Sequence, residues 1–363
     1  MLWEKMEQYY QQQLLCLCKN VHPANQKAKE ESRRRWDKIA KPLYGLGLLE
    51  DLIVKIAAMG ETGDVCLERK GIVVFCADNG VVAEGVTQTD SSVTAVVTEN
   101  FARGIASVNR MASVAGADVL PVDIGVAADI LEPGVRRCKI ARGTKNLRRE
   151  PAMTMEQTLA AIHEGIQIAG GMKDAGYQIL AVGEMGIGNT TTGSAIASVM
   201  LGEKPEKVTG RGAGLSEKGL ERKIQVIREA IALHQPKPEE PLLTLACLGG
   251  FDIAGMCGLM LGGAIYRIPV VLDGMISVAA ALVAKKICPF VTDYLLASHA
   301  GREPACSLGL EQLGLEPLIH GRLALGEGTG AALLFPLLDM AEAVYRQNST
   351  FEDIQIKAYE KFE

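Results

Sequence analysis

The sequence predicts an α/β fold, a Rossmann-like and mostly parallel sheet flanked by helices, on three observations. First, the unbroken apolar run Ile72-Val73-Val74-Phe75-Cys76-Ala77 is closed by Asp78-Asn79-Gly80, the pattern of a strand covered on both faces and ending in a functional loop. Second, further strand-like runs, Asp118 to Ile124, Gln178 to Val182 and Ile268 to Leu272, alternate with helical stretches at Val93 to Ala115, Met155 to Ala175, Thr190 to Met200, Ser216 to Leu233 and Ile253 to Tyr266. Strands spaced by helices of this length read as βαβ units. Third, residues from about 4 to 60 read as helices. Leu48, Leu49, Leu52, Ile53 and Ile56 recur at helical spacing there, after a break at Pro42 to Gly47.

The chain has 363 residues, more than the roughly 250–300 at which a single core stops growing, so one dominant domain with an accessory piece is expected. A net charge of -5 argues against a nucleic-acid surface, which needs a basic field. The basic run Arg33-Arg34-Arg35 is flanked by Glu31 and Asp37 and reads as a solvated helix face. Nine cysteines without a C-x-x-C pair, and an opening Met1-Leu2-Trp3-Glu4-Lys5 without an apolar signal segment, point to the cytoplasm. Asp252, Arg267 and Asp273 cut the apolar segment Pro241 to Ala284 into pieces shorter than the ~18 residues of a membrane span, so buried core is expected and no membrane partner.

In open parallel sheets ligands bind beyond the carboxyl ends of the strands. That rule selects Asp78-Asn79-Gly80, Asp123-Ile124-Gly125, Gly183-Glu184-Met185-Gly186 and Asp273-Gly274, although each alone is also an ordinary turn. Gly183 to Thr192, with Gly186, Gly188, Asn189 and Thr190, follows a strand and opens a helix, where backbone N–H groups can meet an anion. It is neither a Walker A loop nor G-x-G-x-x-G. A second cluster, Gly210-Arg211-Gly212-Ala213-Gly214, precedes the helix that carries Lys223. The pair suits a monophosphate, with tight turns as the competing reading. Glu327 stands between Gly326 and Gly328 before the apolar stretch Ala331 to Met340. It reads either as a catalytic base or as an acid stabilising a helix N-terminus. His299, in Ser298-His299-Ala300-Gly301, reads as a structural histidine or a ligand contact. No metal-ligand spacing appears among the five histidines, and neither metal nor cofactor is expected.

Together these segments resemble the nicotinate-nucleotide:dimethylbenzimidazole phosphoribosyltransferase family. The likeness runs from Ala77-Asp78-Asn79-Gly80-Val81 and Glu84-Gly85-Val86 through Val122 to Val126 and Ala141 to Asn146. It continues through Gly183 to Thr191, Gly249 to Met256 and Val271 to Gly274, and ends at Leu325-Gly326-Glu327-Gly328-Thr329-Gly330. It implies a small helical domain formed by both chain ends, 1–61 plus 340–363, around a catalytic domain of 62–339, and a homodimer or a heterodimer with a related chain. It implies Glu327 as catalytic base. Glu184, Gly186, Gly188, Asn189, Thr190, Gly210, Arg211, Gly212 and Lys223 fall at the nucleotide and its phosphate, and Asp78, Thr89, Val97, Met185 and Leu325 at the base pocket.

The implied reaction moves phosphoribose from nicotinate mononucleotide to a small aromatic base, the lower ligand of a cobamide. The cationic pyridinium leaves as a neutral ring, so the need is for a base that frees the incoming nucleophile of its proton. The chain departs from the family pattern twice. Lys41-Pro42-Leu43-Tyr44-Gly45-Leu46-Gly47 stands where members carry Lys-Pro-x-Gly-Ser-Leu-Gly, and Val97 replaces a glutamine. The second departure raises an alternative, a homologue activating phenol or p-cresol as one subunit of a hetero-oligomer. A catalytically silent nucleotide-binding paralogue is the alternative of another class.

Overall fold

In the computed structural model, which describes residues 2–360 and their side chains from residue 11 onward, six strands form one sheet with every neighbouring pair parallel. Met1 and residues 361–363, parts of the expected terminal domain, lie outside the described residues, as do the side chains of the opening segment. The strands are β1 (Lys70–Ala77), β2 (Ala117–Gly125), β3 (Arg136–Arg137), β4 (Ile179–Met185), β5 (Val270–Leu272) and β6 (Leu295–Ala297). Their order is β3-β2-β1-β4-β5-β6, so the chain winds outward in both directions from the seam between β1 and β4. All eight residues of β1 are buried, as its apolar run requires of a strand with helices on both faces.

The helices are α1 (Leu2–Lys19), α2 (Gln26–Lys38), α3 (Leu48–Met59), α4 (Ser92–Ala102), α5 (Ser107–Ala115), α6 (Met155–Asp174) and α7 (Asn189–Leu201). They continue with α8 (Pro205–Val208), α9 (Glu217–His234), α10 (Pro241–Leu248), α11 (Phe251–Tyr266), α12 (Met275–Ile287), α13 (Pro304–Leu313) and α14 (Thr329–Gln347). On one face α11 lies against β1, β2 and β4 with α6 outside it, and on the other α4, α5 and α14 pack. The α6–α11 crossing is close because glycines meet backbone. A Cβ at Gly165 would stand 2.1 Å from the Gly255 carbonyl oxygen, and one at Gly258 2.0 Å from that of Ile162.

The expected elements are present, with four corrections. The single helix expected over Val93 to Ala115 is two, because the chain turns at Gly104 with φ +73°. The helix expected over Ala331 to Met340 is α14, running from Thr329 to Gln347 with Pro336 inside it. Strands β3 and β6 are two and three residues long and carry no readable pattern. Within Pro241 to Ala284 the apolar run divides into α10, α11, β5 and α12, nearly all buried, because a segment apolar all round hides the period that would separate its parts.

The chain ends are tied together. Ile39 bridges Thr350, the Trp36 and Tyr345 ring centroids are 5.0 Å apart, and Arg35 stacks over Tyr345 while donating to its carbonyl oxygen at 3.0 Å. Of the basic run, only Arg34 stays fully exposed. The proposed domain boundary at residue 340 passes through α14, which is continuous there. Tyr44, where the family pattern has glycine, holds φ +56°, a left-handed conformation that costs an L-residue about 1–2 kcal/mol. Among the described residues no helix is long and apolar enough to cross a membrane.

Candidate functional site

The seam between β1 and β4 is the point where strand order reverses, and a cleft of about 200 Å³, partly open to solvent, lies beyond the strand ends there. Four chain segments supply its walls: Val182 to Thr190 from β4 and the start of α7, Asp273 to Ser277 after β5, His299 to Glu303 after β6, and Leu323 to Thr329 before α14. Gly212, Ala213 and Met256 complete it. The N-termini of α7 and α12 open onto this space and make it hospitable to an anion, whereas the amides at the start of α14 are taken by Asp273.

At one end Lys223, fully buried on α9, donates from Nζ to Thr190 Oγ1 at 3.0 Å and to the Gly210 carbonyl at 3.2 Å. Burial lowers its pKa to about 8, with the Glu303 carboxylate pulling in the opposite direction. Glu303 Oε1 accepts from Gly212 N–H at 3.1 Å, while its other oxygen is buried without a hydrogen-bond partner. Arg211 is engaged elsewhere, by the Leu215 carbonyl at 2.9 Å and the Glu217 carboxylate, and stays outside the cleft wall.

At the other end Glu327 has φ +62° between Gly326 and Gly328, both at φ +87°. A non-glycine residue held there carries strain of the kind that clusters at functional sites. Three features hold it. Gly183 of β4 lets the loop lie directly on the strand, where a Cβ would stand 2.5 Å from the Glu327 carbonyl oxygen. The buried Asp273 carboxylate accepts from the N–H groups of Gly328 (3.1 Å), Gly330 (2.8 Å) and Ala331 (3.3 Å). Val108 N–H, in the first turn of α5, approaches Glu327 Oε2 at 3.4 Å. Burial raises the Glu327 pKa, Asp273 adding to the rise and Val108 opposing it.

Between these ends Asn189 donates to the Glu184 carboxylate and, at 3.0 Å, to Asp252 Oδ2. Burial, reinforced by Asp252 and Asp273, lifts Glu184 to about 8, and burial lifts Asp252 to about 6. Near neutral pH burial therefore favours the protonated form of Glu184, whose Oε2 accepts from Asn189.

Of the residues selected from sequence, Glu184, Met185, Gly186, Asn189, Thr190, Gly212, Leu325 and Glu327 line the one cleft, with Lys223 and Gly210 directly behind Thr190. Gly188 caps α7 at φ +93°. Asp78 is buried at the end of β1, accepting from Ala127 N–H at 2.8 Å. Thr89 is exposed in the loop before α4, whose neighbour Gln88 reaches the Gly214 carbonyl. Val97 is half-buried on α4, one turn past Thr94, which accepts from Ile187 N–H at 3.2 Å. None of Asp78, Thr89 and Val97 is in the cleft wall. Sequence reasoning gave no role to Val108, Asp252 or Glu303. The usable signals were an acid after Gly249-Gly250 at a helix start and Glu303 before Pro304, both N-terminal patterns. Nothing marks Val108, which acts through its backbone.

A family model described as phosphoribosyltransferase matches residues 21–356. The nicotinate-nucleotide–dimethylbenzimidazole phosphoribosyltransferase of Clostridium acetobutylicum is 44% identical over 345 residues, spanning 94% of this chain and 97% of its own. This chain belongs to that phosphoribosyltransferase family. The enzyme of the same name from Ruminiclostridium cellulolyticum is also 44% identical, over 95% of this chain and 98% of its own. The crystal structure of CobT from Thermus thermophilus superposes with a TM-score of 0.87 at 39% identity, covering 92% of this phosphoribosyltransferase and all of that chain.

Proposed function

We propose that this chain transfers the phosphoribosyl group of nicotinate mononucleotide to dimethylbenzimidazole, giving the α-ribotide and nicotinate, with Glu327 as general base. The observation that carries this reading is the polarity of the cleft: an anion end at Lys223 and Gly212, and an acid on a strained, glycine-flanked loop at the other. The phosphate binds at Lys223, Gly212 and the α7 N-terminus. The glycosidic C–N bond breaks with its electron pair returning to the pyridinium, which leaves neutral. The unprotonated nitrogen of the benzimidazole forms the new bond at C1′ from the opposite face, and the proton on its other ring nitrogen passes to Glu327. Met185, Met256, Ile276 and Leu325 supply an apolar wall for the aromatic rings. Val97 lies outside that wall, so no feature of the cleft favours phenolic acceptors. The cytoplasmic setting, and a homodimer or a heterodimer with a related chain, belong to the same proposal.

The deciding experiment is mass spectrometry of products from the purified chain with nicotinate mononucleotide and a panel of azole, purine and phenol acceptors. The α-ribotide forms with dimethylbenzimidazole, and nicotinate is released only when an acceptor is present. Release without acceptor, or transfer to phenols alone, overturns the assignment.

Lys223 adds a pH signature. Nucleotide affinity holds near neutrality and falls as pH rises past about 8, where the free enzyme loses the ammonium, approaching about tenfold per pH unit if the proton is required for binding. Lys223→Met binds weakly and loses this dependence. Its folded pKa is below the unfolded one, so the unfolded chain holds more protons between about 8 and 10.5 and this group's contribution to stability rises with pH across that window. Calorimetric titration of nucleotide at several pH values measures the effect. A flat profile in the native chain removes Lys223 from the phosphate.

A further inference from the structure

Ser298 and His299 directly follow β6, and the hydrogen bonds around them settle which nitrogen of the histidine carries its proton. Ser298 Oγ lies 2.6 Å from the carbonyl oxygen of Leu272 and 2.9 Å from His299 Nδ1. A carbonyl has no hydrogen to give, so the hydroxyl donates to Leu272 and accepts from His299. The ring proton is thereby on Nδ1, and Nε2 presents a lone pair. Burial lowers the pKa of His299 against the pull of Asp273, which keeps the ring neutral near and above neutral pH.

The ring is clamped in place. A Cβ on Gly330 would stand 2.1 Å from Nδ1, so only glycine leaves room there. Nε2 is 3.6 Å from the Cβ position of Gly301 and 3.9 Å from that of Gly274, at the cleft wall between the strand ends of β5 and β6. No hydrogen bond engages Nε2 among the described residues. Gly330 joins the ring to the Glu327 loop, and Gly301 joins it to the Glu303 segment that touches Gly212. The acceptor therefore stands between the base end and the anion end of the cleft. A mononucleotide spanning those ends presents its ribose at that level, and the ribose carries the only hydroxyl donors between phosphate and ring.

Building on the phosphoribosyl-transfer reading, we propose that His299 Nε2 accepts a hydrogen bond from a ribose hydroxyl of the nucleotide. His299 is thus a sugar-positioning residue, and Ser298 fixes its tautomer. Removing either partner costs affinity by roughly tenfold, the range for a hydrogen bond whose buried acceptor is left unmet.

The test is calorimetric affinity, without acceptor base, for nicotinate mononucleotide and its 2′-deoxy and 3′-deoxy analogues. Binding is read in preference to turnover because removing a hydroxyl also changes the reactivity of the sugar. The native chain loses about tenfold toward one of the two analogues. His299→Ala loses about as much toward the parent nucleotide and nothing further toward that analogue. His299→Gln, whose amide oxygen reaches close to the position of Nε2, recovers part of the loss. Equal affinity of the native chain for all three nucleotides overturns the proposal, and so does a His299→Ala penalty that simply adds to the analogue's own, as a merely structural histidine would give. If the alanine variant does not fold, the native series and the glutamine variant still decide. A chain that shows this pattern but transfers nothing to any base refutes the proposed reaction and leaves the His299 contact standing. A chain that does not bind the nucleotide refutes both.

Discussion

Glu327→Gln lowers turnover by roughly 10²–10⁴-fold, the usual worth of a positioned general base, while nucleotide affinity stays near native. Glutamine keeps the size of the side chain and an oxygen to face Val108 N–H, but it cannot take the ring proton of the incoming base. Binding survives because the phosphate site proposed at Gly212, with Lys223 behind Thr190, lies at the opposite end of the cleft. The pH profile separates this role from an electrostatic one. Burial raises the pKa of Glu327, so the base form is lost, and kcat/KM with it, as pH falls through that raised value; the variant lacks this limb. Steady-state kinetics over a pH series measures both effects. A loss under about threefold assigns proton removal elsewhere, since base catalysis is worth hundreds. Glu184 is a poor substitute near neutrality, because at about 8 its carboxyl still holds its proton.

The second large effect comes from a cleft residue that has no side chain. In Gly183→Ala the new methyl would lie 2.5 Å from the Glu327 carbonyl oxygen and 2.8 Å from its carbonyl carbon. Both atoms are backbone, so the obstruction cannot be relieved by a side-chain rotation, and the loop must lift from β4 by most of an ångström. A misplacement of about 1 Å at a reacting group costs on the order of 10²-fold. We expect kcat to fall by about that factor, with nucleotide affinity changed far less and the fold retained. Kinetics alongside thermal unfolding checks this, and a well-folded alanine variant with native kcat would show that Glu327 works without its seat on β4.

The pattern of what the sequence revealed follows from the physics of each element. The unbroken run at 72–77 and the loop Asp78-Asn79-Gly80 announce a covered strand because both faces of β1 are buried. The two glycine loops and Glu327 stood out as candidates because glycines before a helix and an acid between glycines are local patterns, and the structure brings Gly212 and Glu327 to one cleft with Lys223 behind it. Three kinds of feature were not legible. Strands β3 and β6 are too short for any period to show, and within the apolar stretch 241–284 only α11 and β5 were expected, α10 and α12 having no period of their own to read. Val108 contributes an N–H that every residue except proline carries. The meeting of Asp273, His299 and Gly330 joins three segments far apart in the chain, and single-sequence patterns are silent on such pairings. The alternation that located the helix after β1 also hid its break at Gly104, since both halves keep apolar residues on one side.

With the amides of Gly328, Gly330 and Ala331 gathered on a single buried carboxylate, the segment carrying the reactive acid moves with the sheet and is not a lid. Loops beside an open cleft ordinarily belong to the least stable part of a protein, and opening them commonly limits turnover. The opposite rim is built differently. There the 210–214 segment is held by Gln88, Glu303 and Lys223 side chains in contacts that an arriving phosphate is able to replace. Glu327 is thereby tied through its neighbours to the end of β5, while the 210–214 segment is held by side chains.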